Sequence, residues 1–159
     1  MKRCRNCGSA ALTTGTEDRP LDSLPSVTLR DLKVTRCAKC RAETVSIPRM
    51  EQLHEFIAKA LVLKAGRLSG AEVRYLRKWL GWSGRDFARS FGLSVEHVSR
   101  VENGHHPVSG VADRLLRVLV FSRVASPASA LEDVLDLGDS DEAFELGVSA
   151  SGRKWRAVA

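Results

Sequence analysis

The sequence predicts an α+β protein: a small N-terminal β domain, a joining helix, an all-α domain and a C-terminal tail. Three observations predict it. Two Cys-x-x-Cys pairs, "CRNC" at 4–7 and "CAKC" at 37–40, bracket a Thr/Val-rich stretch with turn residues. From residue 49 onward the apolar residues switch to helical spacing. Between residues 69 and 123 the helical runs open on serines, and several close on glycines. The expected divisions are a β domain at 1–48, a linking helix and hinge at 49–68, a helical domain at 69–125, and an acidic helix and tail at 126–159.

In the β domain, "SVTLRDLKVTRC" and "AETVSIP" combine β-branched residues with partial alternation, which reads as short strands. Gly8, Gly15, Pro20, Pro25 and Pro48 are its turn residues. The 29 residues between Cys7 and Cys37 leave room for a pair of strands. The linking helix, "RMEQLHEFIAKALVLKA", places Leu53, Ile57, Ala60 and Leu61 on one stripe that ends at Lys64. Gly66 stops it, and "GRLSG" reads as a hinge-like connector.

Ser69 caps the next helix, with Glu72 three residues on as a capping box. Its apolar stripe is Val73, Leu76 and Leu80. Ser83 caps "GRDFARSF", which Gly92 ends. Ser94 caps "VEHVSRVEN", which Gly104 ends. Ser109 opens a last helix whose Val111, Leu115 and Leu119 repeat at i, i+4 and i+8. Beyond it, Pro127 suits the first position of a short acidic helix running to Leu137. The segment after that is either a loose tail or a terminal hairpin turning near Gly152.

Charge narrows the partners. The 159-residue chain carries a net charge of +6, with residues 126–147 holding seven acids and no base. A basic chain of this size favours an acidic partner, and nucleic acid is the commonest. The acidic block at 132–145 reads as a solvated tail segment. No apolar run approaches the roughly 20 residues that span a bilayer. The start, "MKRCRNCGSA", lacks the apolar centre of a signal peptide. A cytoplasmic location follows as the expectation, and disulfides are rare there.

The four cysteines are therefore expected to hold a metal. Each Cys-x-x-Cys places two thiolates on one tight turn, and two such turns complete a tetrahedral site with no open position. Cys4, Cys7, Cys37 and Cys40 are the expected ligands, and the site is structural because no water can bind there for catalysis. Zinc is the expected ion. Iron is the alternative that four thiolates also suit. The histidines at 54, 97, 105 and 106 are not needed as ligands and read as surface side chains.

In "WSGRDFARSFGLSVEHVSRVENG" a helix, a tight turn and a helix fall within about twenty residues, the layout of a helix-turn-helix. Leu93, Val98 and Val101 are expected to face inward against Phe87 and Phe91, with Trp79 and Trp82 in the core or an interface. Glu96, His97, Ser99, Arg100 and Asn103 then face outward on the second helix, which enters the major groove in such motifs. Ser83 and Ser94 stand at helix starts, where free N–H groups can hold phosphates. Arg74, Arg85 and Arg89 are candidates for neutralising the DNA backbone. The expected DNA contacts are Ser83, Arg85, Ser94, Glu96, His97, Ser99, Arg100 and Asn103.

With "CRNCG", "CAKC", the linking helix and "FARSFGLSVEHVSRVENG" in view, residues 1 to about 122 resemble the MqsA (YgiT-type) zinc-finger/helix-turn-helix antitoxin family, with an Xre-like DNA-binding domain. The resemblance implies an N-terminal zinc domain that binds and neutralises an MqsR-type ribonuclease toxin. It implies a C-terminal domain that dimerises on a palindromic operator, with Arg100 in the place of a base-reading arginine. Three residues depart from the family pattern. Glu96 stands where the family has Asn, which alters the base read there. Arg41 follows the second cysteine pair in place of Gly, which alters the knuckle turn. Gly84 replaces the Gln that opens the second helix, with Arg85 beside it to take over a lost contact. The expected function is a transcriptional repressor acting as the antitoxin of a type II toxin–antitoxin system. The alternatives are a free-standing Xre-type regulator with a structural zinc domain, and an adaptor that docks a protein and binds no DNA. No nucleophile–base pair or phosphate-cradling glycine loop is present in the sequence, so no enzymatic activity is expected.

Overall fold

The computed structural model describes residues 3–124 and 143–158. The expected acidic helix at 127–137 lies outside the described residues. Two compact units emerge, one from residues 1–52 with 145–159 and one from residues 53–144.

The first unit is a five-stranded sheet. Strands β1 (Leu12–Leu21) and β2 (Leu24–Cys37) form an antiparallel hairpin that fills the gap between the cysteine pairs. Strand β3 (Glu43–Ser46) pairs with the C-terminal half of β2. Gly15 and Pro20 lie within β1 rather than at turns. Proline is tolerated there because β1 is a sheet edge and need not donate on its outer side.

The partial alternation of β2 has a physical origin. Glu17 opposes Leu32 and Arg19 opposes Leu29, so Arg30 and Asp31 share the space across from Asp18. This is a β-bulge, with Asp31 in the left-handed region at φ 54. Asp18 clasps it, accepting the Asp31 N–H at 3.0 Å and Arg30 Nη1 at 2.8 Å. The extra residue resets the side-chain alternation, so Val27 and Leu29 before it and Leu32 and Val34 after it are all buried.

The end of the chain completes this sheet. Strands β4 (Leu146–Ser151) and β5 (Lys154–Val158) form a hairpin that turns at Gly152, φ 57. β4 runs parallel to β2, pairing Leu146 with Val27 and Val148 with Leu29. Val148 and Trp155 are buried, and Trp155 Nε1 donates to Pro48 O at 3.2 Å. The loose-tail alternative is thereby excluded for residues 146–158.

The second unit holds the helices, α1 (Met50–Leu63), α2 (Gly70–Trp79), α3 (Gly84–Phe91), α4 (Val95–Glu102) and α5 (Gly110–Phe121). The first residues of α1 group with the sheet unit and the rest, from Leu53, with the helices. Leu53, Ile57 and Leu61 are fully buried, as their spacing predicts. All four serines cap their helices as expected, and Ser69 and Glu72 form the capping box.

Two features differ from the sequence reading. The connector "GRLSG" is not a free hinge. Arg117 of α5, fully buried, donates to the carbonyls of Val62, Lys64 and Gly66 at 2.8, 2.9 and 2.5 Å, satisfying the open end of α1. Asp113 pairs with Arg117 at 2.8 Å and accepts the Leu68 N–H at 2.7 Å. The second difference is the rotation of α5. Val111 is 78% exposed and Leu115 41%, while Ala112, Leu116 and Val120 are buried, one residue along. The buried Asp113–Arg117 pair explains the shift. It occupies the inward face, which an apolar count assigns to the neighbouring stripe.

Candidate metal centre and nucleic-acid interface

The two cysteine turns repeat one hydrogen-bonding scheme. Cys4 N–H donates to Ser9 O and Gly8 N–H to Cys4 O. Cys37 N–H donates to Ala42 O and Arg41 N–H to Cys37 O. All four bonds measure 2.9 Å. Gly8 sits at φ 71 and Arg41 at φ 60, so both turns need a left-handed residue in the same place. Arg41 therefore preserves the knuckle turn rather than altering it, at the steric cost of a Cβ in that region.

These turns bring all four Sγ atoms within 4.8 Å of one another. Cys4 and Cys40 lie 3.6 Å apart, as do Cys7 and Cys37. A tetrahedron with Zn–S bonds of about 2.3 Å has S···S edges of about 3.8 Å, so the donor set fits one ion. Backbone N–H groups favour the thiolate form of the second pair. Cys37 is held below its ordinary value, first by the Cys40 N–H. Cys40 is brought to about 6, first by the Ala42 N–H. The four cysteines are positioned to hold one structural zinc ion, and four thiolates leave no position for substrate.

Beside this centre, the exposed face of β1–β3 carries matched charges. Arg36 bonds both Glu17 and Glu43, and Arg19 bonds the same two carboxylates, to Glu17 at 2.9 Å and Glu43 at 2.6 Å. Glu17 is held down to about 2, first by Arg36 and then by Arg19.

In the helical unit, α3 and α4 are joined by a tight turn at Gly92, φ 64. Phe87, Ala88, Val98 and Val101 are buried, with Phe91 and Leu93 half-buried beside them. Phe87 and Phe91 stack at 4.1 Å, and Trp82 meets Phe91 edge-on at 6.5 Å. This packing turns Glu96, His97, Ser99, Arg100 and Asn103 outward, all exposed, as the periodicity predicts. A family model for a helix-turn-helix domain matches residues 70–128. That domain is the DNA-binding part of the chain. No curated protein matches the chain.

Within the helix-turn-helix domain the expected contacts divide by what already holds them. Arg85 and Arg100 are exposed with no ion pair among the described residues, and Arg89, also exposed, acts electrostatically on Asp86. Ser94 is exposed at the start of α4, where its Oγ accepts the His97 N–H at 3.1 Å. Ser83 is committed to Asp86: its Oγ donates to Asp86 Oδ2 at 2.5 Å and accepts the Asp86 N–H at 3.2 Å. The α3 start thus carries its own carboxylate, which Ser83 holds below its usual range and which would repel a phosphate. Asn103 is also engaged. It accepts Arg74 Nη2 at 2.6 Å and donates to Ser99 O at 2.8 Å.

Sequence reading missed the support beneath this face. Glu102, 9% exposed, receives Arg77 through Nε at 2.5 Å and Nη2 at 2.9 Å, and Arg74 Nε at 3.3 Å. Arg77 Nη1 also donates to Trp82 O at 2.7 Å. This network locks α4 to α2. A signal was present: Glu102 lies four residues after buried Val98, and an acid on the inward face needs a cation. Gly70 is the second omission. A Cβ there would run into Val101 O and stand 3.1 Å from Glu102 O, so the α2 start lies directly against the α4 end.

His54 is not a plain surface residue. It is half-buried, with Nδ1 2.6 Å from Tyr75 Oη, and burial lowers its pKa. Among the described residues, no helix is long and apolar enough to cross a membrane.

Proposed function

We propose that the protein is a transcriptional repressor acting as the antitoxin of a type II toxin–antitoxin system. In this reading the helix-turn-helix domain binds a palindromic operator as a homodimer, and the zinc unit binds an MqsR-type ribonuclease toxin. The observation that carries the reading is the joining, in one chain, of a closed four-cysteine centre to a helix-turn-helix domain with an open α4 face. A closed centre does no chemistry of its own, which leaves its unit a binding role. The MqsA-type resemblance of residues 1 to about 122 supports the same division of labour.

Base contacts are assigned to Glu96, His97, Ser99 and Arg100, with Arg100 the main reader through a bidentate contact to guanine. Ser94 and Arg85 hold the backbone, joined by Arg89. Ser83 and Asn103 contribute by fixing α3 and Arg74. Dimerisation is assigned to the exposed Val111–Leu115 stripe of α5. Val111 and Leu115 lie one turn apart and are 78% and 41% exposed, the apolar surface that a twofold contact would cover.

The test is co-expression of the full chain with the product of the adjacent reading frame. The expected result is a growth-arresting ribonuclease that the chain retains and silences, together with binding of the chain to DNA upstream of its own gene. An adjacent product that is neither toxic nor retained would overturn the antitoxin role. If operator binding persists in that case, a free-standing regulator is the correct reading.

A further inference from the structure

Glu96 is an acid on a surface that must approach a polyanion. It occupies the second position of α4, directly after Val95, and is exposed. Among the described residues no ion pair or hydrogen bond engages its carboxylate, although Arg100 lies four residues on along the same face. The acids around it are all accounted for differently. Glu102 is buried beneath Arg74 and Arg77, Glu72 is buried against Lys64, Asp113 is buried against Arg117, and Asp86 accepts the Ser83 N–H and hydroxyl. Among the described residues, Glu96 alone presents an open carboxylate at the N-terminal end of the reading helix, the part that meets base edges in this motif.

An unpartnered carboxylate there repels phosphate and so weakens sequence-independent binding. Two base edges in the major groove offer it a donor, cytosine N4–H₂ and adenine N6–H₂; adenine sets its donor beside the N7 acceptor, which repels a carboxylate, so cytosine is the match. Guanine presents only acceptors on that edge, which a carboxylate cannot use. We infer that Glu96 is a specificity determinant that selects cytosine at one position of each half-site. This rests on the DNA-reading assignment of α4 made above.

Helix geometry adds a spacing. Four residues along α4 advance about 6 Å at 1.5 Å per residue. That is between one and two base-pair steps of about 3.4 Å. The cytosine read by Glu96 and the guanine read by Arg100 therefore fall one or two base pairs apart when the helix axis follows the groove.

The experiment is selection from a randomised duplex library by the full-length zinc-loaded protein, wild type beside Glu96→Gln. Glutamine keeps the length of the side chain but pairs with adenine. The wild type is expected to enrich cytosine at one position per half-site. The variant is expected to move that position to adenine, losing about tenfold or more on the original site. Arg100's guanine stays unchanged, and binding to unrelated duplex rises as the phosphate repulsion is lifted. Identical motifs from both proteins, with a lower melting temperature for the variant, would show that Glu96 serves only the helix dipole and would overturn the inference. A wild type that enriches cytosine nowhere in its motif would also overturn it. A wild type that enriches no motif at all would remove the DNA-reading assignment, and this inference with it.

Discussion

Arg41 and Gly70 show how single residues hold both sites in shape. Arg41 adopts the left-handed backbone that Gly8 adopts in the sister turn. Arg41→Gly is therefore expected to stabilise the zinc unit by about 1 kcal/mol, read as a higher melting temperature or greater resistance to chelator. Gly70 is the opposite case. Gly70→Ala places a methyl against the Val101 carbonyl, so a loss of about 1–3 kcal/mol is expected in denaturant titration. His54 adds a pH dependence. Burial lowers its folded pKa, so the folded state favours the neutral ring and the unfolded chain binds the proton more readily. Stability is present above about pH 6.5 and falls as pH drops through that value. Thermal melts of wild type and His54→Gln between pH 7.5 and 5 should diverge in that direction.

At the scale of elements, caps and local periodicity were legible because they depend on neighbours in sequence. Ser69, Ser83, Ser94 and Ser109 cap as their letters announce, and α3 spans the predicted "GRDFARSF". What sequence reading missed depends on distant partners. The inward face of α5 is set by Asp113 and Arg117, and the carbonyls that accept from Arg117 lie some fifty residues away at the end of α1. The pairing of β4 with β2 joins residues over a hundred positions apart, and no local pattern in residues 146–151 encodes it. The bulge at Arg30–Asp31 breaks an alternation that a period-two count takes to be continuous. Asp113→Ala tests the α5 network. It leaves Arg117 buried without its carboxylate, and a loss of about 3–5 kcal/mol is expected. A loss within the range of a surface substitution would show that Arg117 is sustained by the α1 carbonyls alone.

For the whole molecule, the two units make separable predictions. Removing the metal should unfold the sheet unit, including its C-terminal hairpin, and leave the helical unit folded. Circular dichroism with a chelator reads the two apart, as loss of the strand signal with the helical signal retained. A single cooperative loss of helix and sheet would show that they do not fold independently. The cysteine ligands and the exposed face of α4 were both readable from spacing alone, because each cysteine pair, like the α4 face, is a short local motif. The support from Glu102 and Arg77 was not, since it spans two helices.

A repressor of this kind depends on α4 reading duplex DNA. The most direct test is equilibrium binding of the full-length protein to its selected operator as salt rises from 50 to 200 mM, for wild type and Arg100→Ala. Wild-type affinity is expected to fall by about 10³ or more over that range. The variant should lose about 1–3 kcal/mol on the operator and discriminate less at one position of each half-site. An affinity that does not change with salt, or an Arg100→Ala protein that binds every operator variant as the wild type does, would contradict the account.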